Sequence, residues 1–238
     1  MNKFNKIIKN EEGSMTLLWI GVLGGMMVLF LFVLNLSKVL AVKEHANTTS
    51  QQASFAATSV IYDNLSPSIS SYDNYILSLN LDPLPKLLSE KIAEMESSIR
   101  SNPRYRDYSS NEISLEAMDR AITSELSGGF EPELLKNLLE SALQSAVPTM
   151  ISVARDTIAE NKGNIDEAKI RLKDNRIYIR ASNDFNATAY DKYIKGFRKK
   201  LFQESAGPEI GFLSSLTLGI SDNWIPLGDE EITWEEND

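Results

Sequence analysis

The sequence contains no cysteine and only one histidine, His45, among its 238 residues. Without cysteine the chain forms no disulfide, carries no thiol nucleophile and offers no cysteine-based zinc site. Glu44 is the only close acidic neighbour of His45 in the sequence. We therefore interpret His45 as a polar residue on an exposed helix, and not as a metal ligand or an acid–base catalyst.

Motifs for phosphate loops, metal triads and catalytic nucleophiles are also missing, so the sequence favours no enzyme and predicts no cofactor. The sequence Tyr-Asp-Asn occurs at 62–64 and at 72–74, but this spacing fits no calcium loop, and we interpret both copies as turns. The net charge is −9. Because binding to nucleic-acid phosphates needs a basic surface, we expect no nucleic acid as a partner.

The longest feature that the sequence does contain is an uncharged run of twenty residues, from Met15 to Leu34. At about 1.5 Å per residue, a helix of this length spans the roughly 30 Å hydrocarbon core of a bilayer. A cleavable signal peptide has a shorter apolar segment of about 7–15 residues, and Lys38 precedes the small-residue sequence that ends at Ala41. The run therefore predicts a transmembrane helix over residues 15–36 in preference to a cleaved signal.

Basic residues predict the orientation of this helix. Three lysines lie in the leader, residues 1–14, whereas the far side carries Lys38 and Lys43 and then no basic residue before Lys86. The positive-inside rule places the N-terminus in the cytoplasm and the C-terminal domain outside. The expected location is the cell membrane, with a single pass.

Helical character is expected to continue beyond the membrane. Residues 37–62 contain neither proline nor glycine and predict a helical extension. The poor helix formers from Asn47 to Ser50 give one candidate break, and Pro67 among serines gives a second. Residues 63–228 are then expected to form an extracytoplasmic α+β domain, most of it helical.

Within that domain, apolar periodicity predicts several helices. One covers residues 86–100, a second follows a capping box at Ser109, and a third begins at Pro132. Pro148 is expected to end or kink the third helix, which makes Met150–Glu160 a separate fourth helix.

The period of the apolar residues changes near residue 170. Ile170 and Leu172, and then Ile177 and Ile179, alternate with polar residues around Asp174-Asn175. This pattern is typical of an antiparallel β-hairpin with a tight turn. Its apolar face must be covered, and the helices are the expected cover.

Three segments follow the hairpin in the sequence. Residues 183–193 predict a third strand, and residues 192–205 predict a last helix. The segment 229–238 holds six acidic residues among ten and is expected to be a solvated tail.

The order of features in the first sixty residues carries a family resemblance. A basic stub is followed by an acidic pair, by Gly13-Ser14, by the apolar run and by the helical sequence LSKVLAVKEHANTTSQQASFAATSV. This order resembles the N-terminus of the TadE/TadG-like proteins of Flp (Tad) pilus assembly. The hairpin region KIRLKDNRIYIRASNDFNATAY also resembles the strand region that closes the outer domain of that family, whereas residues 65–163 carry no part of the resemblance. The resemblance implies a bacterial minor pilin or pilus-assembly component, whose partners are other pilus or secretion-assembly proteins.

Gly13 and Ser14 form a candidate processing site under this resemblance. Type IV prepilin-like proteins are cut after glycine, and the fifth residue of the mature chain is usually glutamate. Here the fifth residue after Gly13 is Leu18. The resemblance therefore favours an uncut anchor and leaves a chain that starts at Ser14 as the alternative.

Gly21 and Gly25 form a candidate helix-packing site in the apolar run. Four residues separate them, so they share one helix face that a second helix can approach closely. The partner on that face would be another assembly protein or a second copy of this chain. The alternative is the ordinary glycine content of membrane helices, and Gly24 interrupts the pattern.

Two classes of function remain open from the sequence. The first is a structural component of the cell envelope, and the second is a membrane-anchored extracytoplasmic binding or sensory module. The leader before the apolar run is too short for a cytoplasmic effector domain, which favours the first class.

Overall fold

The computed structural model describes residues 11–185, 199–216 and 223–228. Within these ranges four α-helices come first: α1 (Glu11–Ser78), α2 (Leu88–Ser101), α3 (Ser110–Gly128) and α4 (Pro132–Glu160). The strands follow as β1 (Asn164–Lys173), β2 (Arg176–Phe185), β3 (Lys199–Ala206) and β4 (Ile225–Pro226), with short 3-10 helices at 103–105 and 211–215. The expected α+β class is confirmed, with a small sheet towards the C-terminal part of the chain.

The sheet has the order β3-β2-β1-β4, and β1 pairs antiparallel with both β2 and β4. The predicted hairpin is confirmed, because β1 and β2 are joined by Asp174 and Asn175, whose φ angles are 49° and 57°. Two left-handed residues are what a two-residue hairpin turn of this type requires. Ile170 lies opposite Ile179 in the ladder, and both are buried.

The chain divides into two compact units, residues 1–45 with 183–201, and residues 46–182 with 202–238. The second unit contains the hydrophobic core, which α1, α3, α4 and the hairpin build together. Its largest fully buried side chains are Leu65, Tyr72, Ile76, Leu88, Ile122, Leu135, Leu139, Ile158, Ile170, Ile177, Ile179 and Phe212.

Helix α1 does not break where the sequence predicted. It runs through Asn47–Ser50 and through Pro67 as far as Ser78, so both candidate breaks are wrong. Pro67 lies on the exposed side of the helix, whereas Leu65 and Ile69 are buried beside it. Burial of one continuous face outweighs the backbone hydrogen bond that proline removes, because that missing bond faces water.

The same reasoning corrects the prediction at Pro148. This residue lies inside α4 and is exposed, while Ala146 and Met150 on the core side are buried. The chain therefore has one helix of 29 residues where two were expected. The capping box is confirmed, because the Ser109 hydroxyl accepts from the Glu112 N–H and the Glu112 carboxylate accepts from the Ser109 N–H.

The predicted last helix is wrong over its described part. Residues 199–206 form strand β3, and residues 192–198 lie outside the described residues. The expected third strand at 183–193 is also revised, because 183–185 continue β2 and the remainder lies outside the described residues. The acidic segment 229–238 lies outside them as well.

Candidate functional site

The apolar part of α1 has little cover among the described residues. From Met15 to Leu34 the large apolar side chains are between 42% and 72% exposed, except for Leu31, which is partly buried. The helix is long and apolar enough to cross a membrane, with a mean hydropathy of 2.6 in its most apolar window. A helix that is apolar all round needs a non-aqueous environment or a protein partner on every side.

The two glycines of the candidate packing site lie in this uncovered part. A Cβ atom added at Gly21 or at Gly25 would meet no described atom within 4 Å, and the same holds for Gly24. The space beside these glycines is therefore open to a partner. Gly13 and Ser14 lie in the first turn of α1, and the structure gives no further test of processing.

Beyond residue 45, α1 turns a stripe of small residues towards the sheet. The buried residues of this stripe are Ala46, Thr49, Ser50, Ala53, Ser54, Ala57 and Thr58. Ser50 connects the helix to two strands, because its hydroxyl donates to the Gln203 carbonyl at 2.9 Å and accepts from the Ala181 N–H at 3.1 Å. Gly207 completes the close approach, since an added Cβ would lie 2.6 Å from Thr58 Oγ1.

A buried polar network joins α1, α2 and α3. The Tyr72 hydroxyl donates to Glu125 Oε1 at 2.8 Å and also contacts the Phe130 carbonyl oxygen. Glu125 is 2% exposed and also accepts from the Phe130 N–H at 2.9 Å and from the Lys91 ammonium group. Burial, followed by the contact with Glu125, raises the pKa of Tyr72 well above its usual range, so the hydroxyl remains a donor.

The residue next to Tyr72 caps another helix. Asp73 is buried and accepts from the backbone N–H groups of Leu88 and Ser89, at 2.7 and 3.1 Å. It thereby satisfies two of the free donors at the start of α2. Both Tyr-Asp-Asn copies are helical, so their interpretation as turns is wrong.

Asp119 on α3 holds the 3-10 helix at 211–215. Its Oδ1 accepts from the Phe212 N–H at 3.2 Å. Burial raises the pKa of Asp119 to about 6, with Glu116 and Glu209 adding to the rise and the backbone N–H groups opposing it. Asp119 therefore titrates close to neutral pH.

The solvent side of the hairpin is strongly basic. Strand partners there are Lys169 with Arg180, Arg171 with Tyr178, and Lys173 with Arg176. We call these six residues the basic face. Successive side chains point to opposite sides of a strand, so this face lies opposite the buried isoleucines. Five cations thus share one face in a chain whose net charge is −9.

Two of these cations are neutralised locally. The Arg171 guanidinium lies 4.2 Å from the Trp224 ring centre and 5.1 Å from that of Tyr178, and it pairs with Glu204 at 2.5 Å. Arg176 pairs with Glu209 at 2.9 Å. Lys169, Lys173 and Arg180 form no ion pair with any carboxylate among residues 11–185, 199–216 and 223–228.

The cavities and the metal-ligating side chains of the described residues offer no further candidate site. One partly open apolar cavity of about 20 Å³ lies between α4 and the hairpin, lined in part by Leu143, Met150 and Ile170. An open groove of about 300 Å³ between α2 and α3 has Lys91 and Glu94 on its rim. Within the described ranges, no group of three or more His, Cys, Asp or Glu side chains could hold a metal ion.

Sequence reasoning missed the polar residues that organise the domain. Ser50 and Tyr72 belong to α1, and their partners lie 53 or more positions away. No local pattern predicts such pairs. The basic face did have a signal, because its cations occupy alternate positions of the hairpin, but only the apolar alternation was interpreted.

Comparisons of the chain with family models, with curated proteins and with solved structures found no match.

Proposed function

We propose that the protein is a single-pass membrane protein with a structural or assembly role at the cell envelope. Residues 15–36 cross the membrane, the leader 1–14 is cytoplasmic and the domain lies outside. The pilus-assembly resemblance makes a TadE/TadG-like minor pilin or assembly component the specific form of this proposal. The proposal also includes the boundaries between leader, transmembrane helix, helical extension, outer domain and acidic segment, at residues 14, 36, 62 and 228.

One observation carries it. The apolar stretch from Met15 to Leu34 is uncharged and, apart from the partly buried Leu31, exposed along its length, while the core of the domain is built from residues beyond it. Lipid is a favourable environment for such apolar side chains. The helix needs no hydrogen-bond partners from lipid, because its backbone polar groups are paired within the helix. The domain itself is held by apolar packing and by structural polar contacts, which suits a scaffold.

A second candidate function has its own observation. The basic face presents three cations without local ion pairs, which favours a membrane-anchored module that binds an anionic partner. This module would use the same anchor. A partner that belongs to a signalling pathway, such as a kinase, would favour this alternative.

Partner capture tests the assembly role. Gly21→Leu or Gly25→Leu should reduce the amount of cross-linked partner recovered per inserted chain, because leucine fills the open strip while adding hydrophobicity that favours insertion. The recovered proteins, identified by mass spectrometry, are expected to share the pattern of a basic leader followed by an apolar helix.

Gly24→Leu is the matched control. It makes the same substitution roughly 80° around the helix from the midpoint of Gly21 and Gly25. Recovery should stay close to that of the parent chain. An equal loss in all three variants, or no loss in any, would contradict a docking role for the strip.

A further inference from the structure

The basic face places like charges at directly opposed strand positions. Lys169 lies directly opposite Arg180, and Lys173 lies directly opposite Arg176. Like charges in directly opposed strand positions repel each other and destabilise a sheet. Only Arg176 has a carboxylate partner among the described residues of these two pairs, namely Glu209. An anionic occupant of this face would remove the repulsion.

We propose that this occupant is the chain's own acidic segment, residues 229–238, bound to the basic face. The segment reads DEEITWEEND and carries six carboxylates. It is the most acidic ten-residue stretch of the sequence, while the face collects five of the chain's 24 basic residues on one hairpin. The two charges are opposite in sign, and the six carboxylates outnumber the three cations of the face that form no ion pair among the described residues.

The segment begins beside the face. Pro226 lies opposite Lys169 in the β4–β1 ladder, and the Leu227 N–H donates to the Ala168 carbonyl at 2.8 Å. Gly228 packs so closely on the Asp166 backbone that an added Cβ would lie 2.8 Å from its carbonyl oxygen. Because β4 runs antiparallel to β1, the chain has passed Lys169 at Gly228, and the acidic segment follows from the Lys169 end of the face.

The reach of the segment exceeds the size of the face. Ten residues extend to at most roughly 33 Å. Gly228 lies beside Asp166, so Lys169 is about 10 Å and Lys173 about 23 Å away along β1, and about 5 Å separates β1 from β2. Both like-charge pairs are thus within reach of carboxylates in the segment.

Attachment also selects the chain's own segment over competing anions. A short tether holds a ligand at an effective concentration in the millimolar range. An external acidic partner would have to displace the segment first. This inference holds whether or not α1 crosses a membrane.

Zero-length cross-linking tests the contact in the full chain, solubilised in detergent. A carbodiimide joins a carboxylate to a lysine amine only when the two groups touch. Links between residues 229–238 and Lys169 or Lys173 are expected, and they should fade as salt rises. Lys169→Arg with Lys173→Arg keeps the charge but removes both amines, so these links should vanish.

Mixing chains labelled with ¹⁴N and ¹⁵N separates contacts within a chain from contacts between copies. Links within one chain support the proposal. Links only between differently labelled chains, or links spread evenly over Lys86, Lys136 and Lys162, would overturn it.

A second measurement does not depend on lysine chemistry. Lys169→Thr with Lys173→Thr should speed cleavage of the segment by a glutamate-specific protease by about fivefold at low salt. Arg104→Thr with Arg106→Thr removes the same charge from two exposed positions between α2 and α3 and should leave the rate unchanged. Equal rates in the parent chain and both variants would also overturn the proposal.

Discussion

The hydroxyl of Tyr72 on α1 donates to the carboxylate of Glu125 on α3 at 2.8 Å, and both side chains are buried. The two residues are 53 positions apart in the sequence. Lys91 of α2 reaches the second carboxylate oxygen, so three helices meet at one buried acid. These contacts hold the three helices together through one buried polar network.

Removing the Tyr72 hydroxyl should therefore destabilise the domain. Tyr72→Phe keeps the ring and leaves no large cavity, but it removes a buried hydrogen bond to a charged acceptor, which costs about 1.5–3 kcal/mol. Thermal unfolding of the detergent-solubilised protein, followed by near-UV circular dichroism, measures the change. Tyr75→Phe, on the exposed side of the same helix, should stay within about 0.5 kcal/mol of the parent. Equal effects of the two substitutions would contradict the network's role.

Asp119 should make stability depend on pH. Its pKa is about 6 in the folded chain against an ordinary value of 3.8, so the folded state binds the proton more tightly. The contribution of Asp119 to the free energy of unfolding therefore rises as pH falls from about 7 to about 4. The same contribution is lost as pH rises through 6. Asp119→Asn should be more stable than the parent above pH 6, and the difference should shrink towards pH 4.

The control for Asp119 is Asp156→Asn, an exposed carboxylate on α4. Its melting temperature should follow that of the parent in parallel across the same pH range. A constant difference between Asp119→Asn and the parent from pH 4 to pH 8 would show that Asp119 does not titrate there.

Ser50 should be needed for docking α1 on the strands. Ser50→Ala removes the acceptor of the buried Ala181 N–H and the donor to the Gln203 carbonyl, and an unsatisfied buried group costs about 1–3 kcal/mol. Gln51→Ala, at the exposed neighbouring position, should change stability by less than about 0.5 kcal/mol. Chemical denaturation compares the two. A Ser50→Ala variant as stable as the parent would rule out this bridge.

The elements that follow local rules were predictable from the sequence. The capping box at Ser109, the start of α4 at Pro132 and the turn at Asp174-Asn175 each depend on a few adjacent residues, and each is confirmed. The apolar run is predictable for the same reason, because its length and composition are local properties.

The errors came where burial overrides local preference. Pro67 and Pro148 are tolerated because each faces solvent while its helix buries a continuous opposite side. Residues 199–206 have a basic, helix-like composition, yet they complete the sheet beside β2. Ser50 and Glu125 could not be predicted as centres of contact, since their partners are set by the tertiary fold.

Cleavage after Gly13 would change the first residue of the mature chain from Met1 to Ser14. We expect the purified protein to retain Met1, because Leu18 stands where prepilin-like substrates usually carry glutamate. Mass spectrometry of the intact chain and of its N-terminal peptide decides between the two forms. A mature chain that starts at Ser14 would establish cleavage despite Leu18. Absence of the chain that starts at Ser14 in the Gly13→Leu variant would confirm the cleavage site.

Membrane topology tests the central claim most directly, and the cysteine-free sequence provides a clean background for the measurement. Single cysteines at the exposed Ser98 of α2 and at Asn5 of the leader can be treated with a membrane-impermeant maleimide, on intact cells or protoplasts. If the domain lies outside, Ser98→Cys is labelled before permeabilisation and Asn5→Cys only after it. Labelling in the opposite order, or a Ser98→Cys chain that stays protected until the membrane is opened, would contradict a domain anchored outside the membrane.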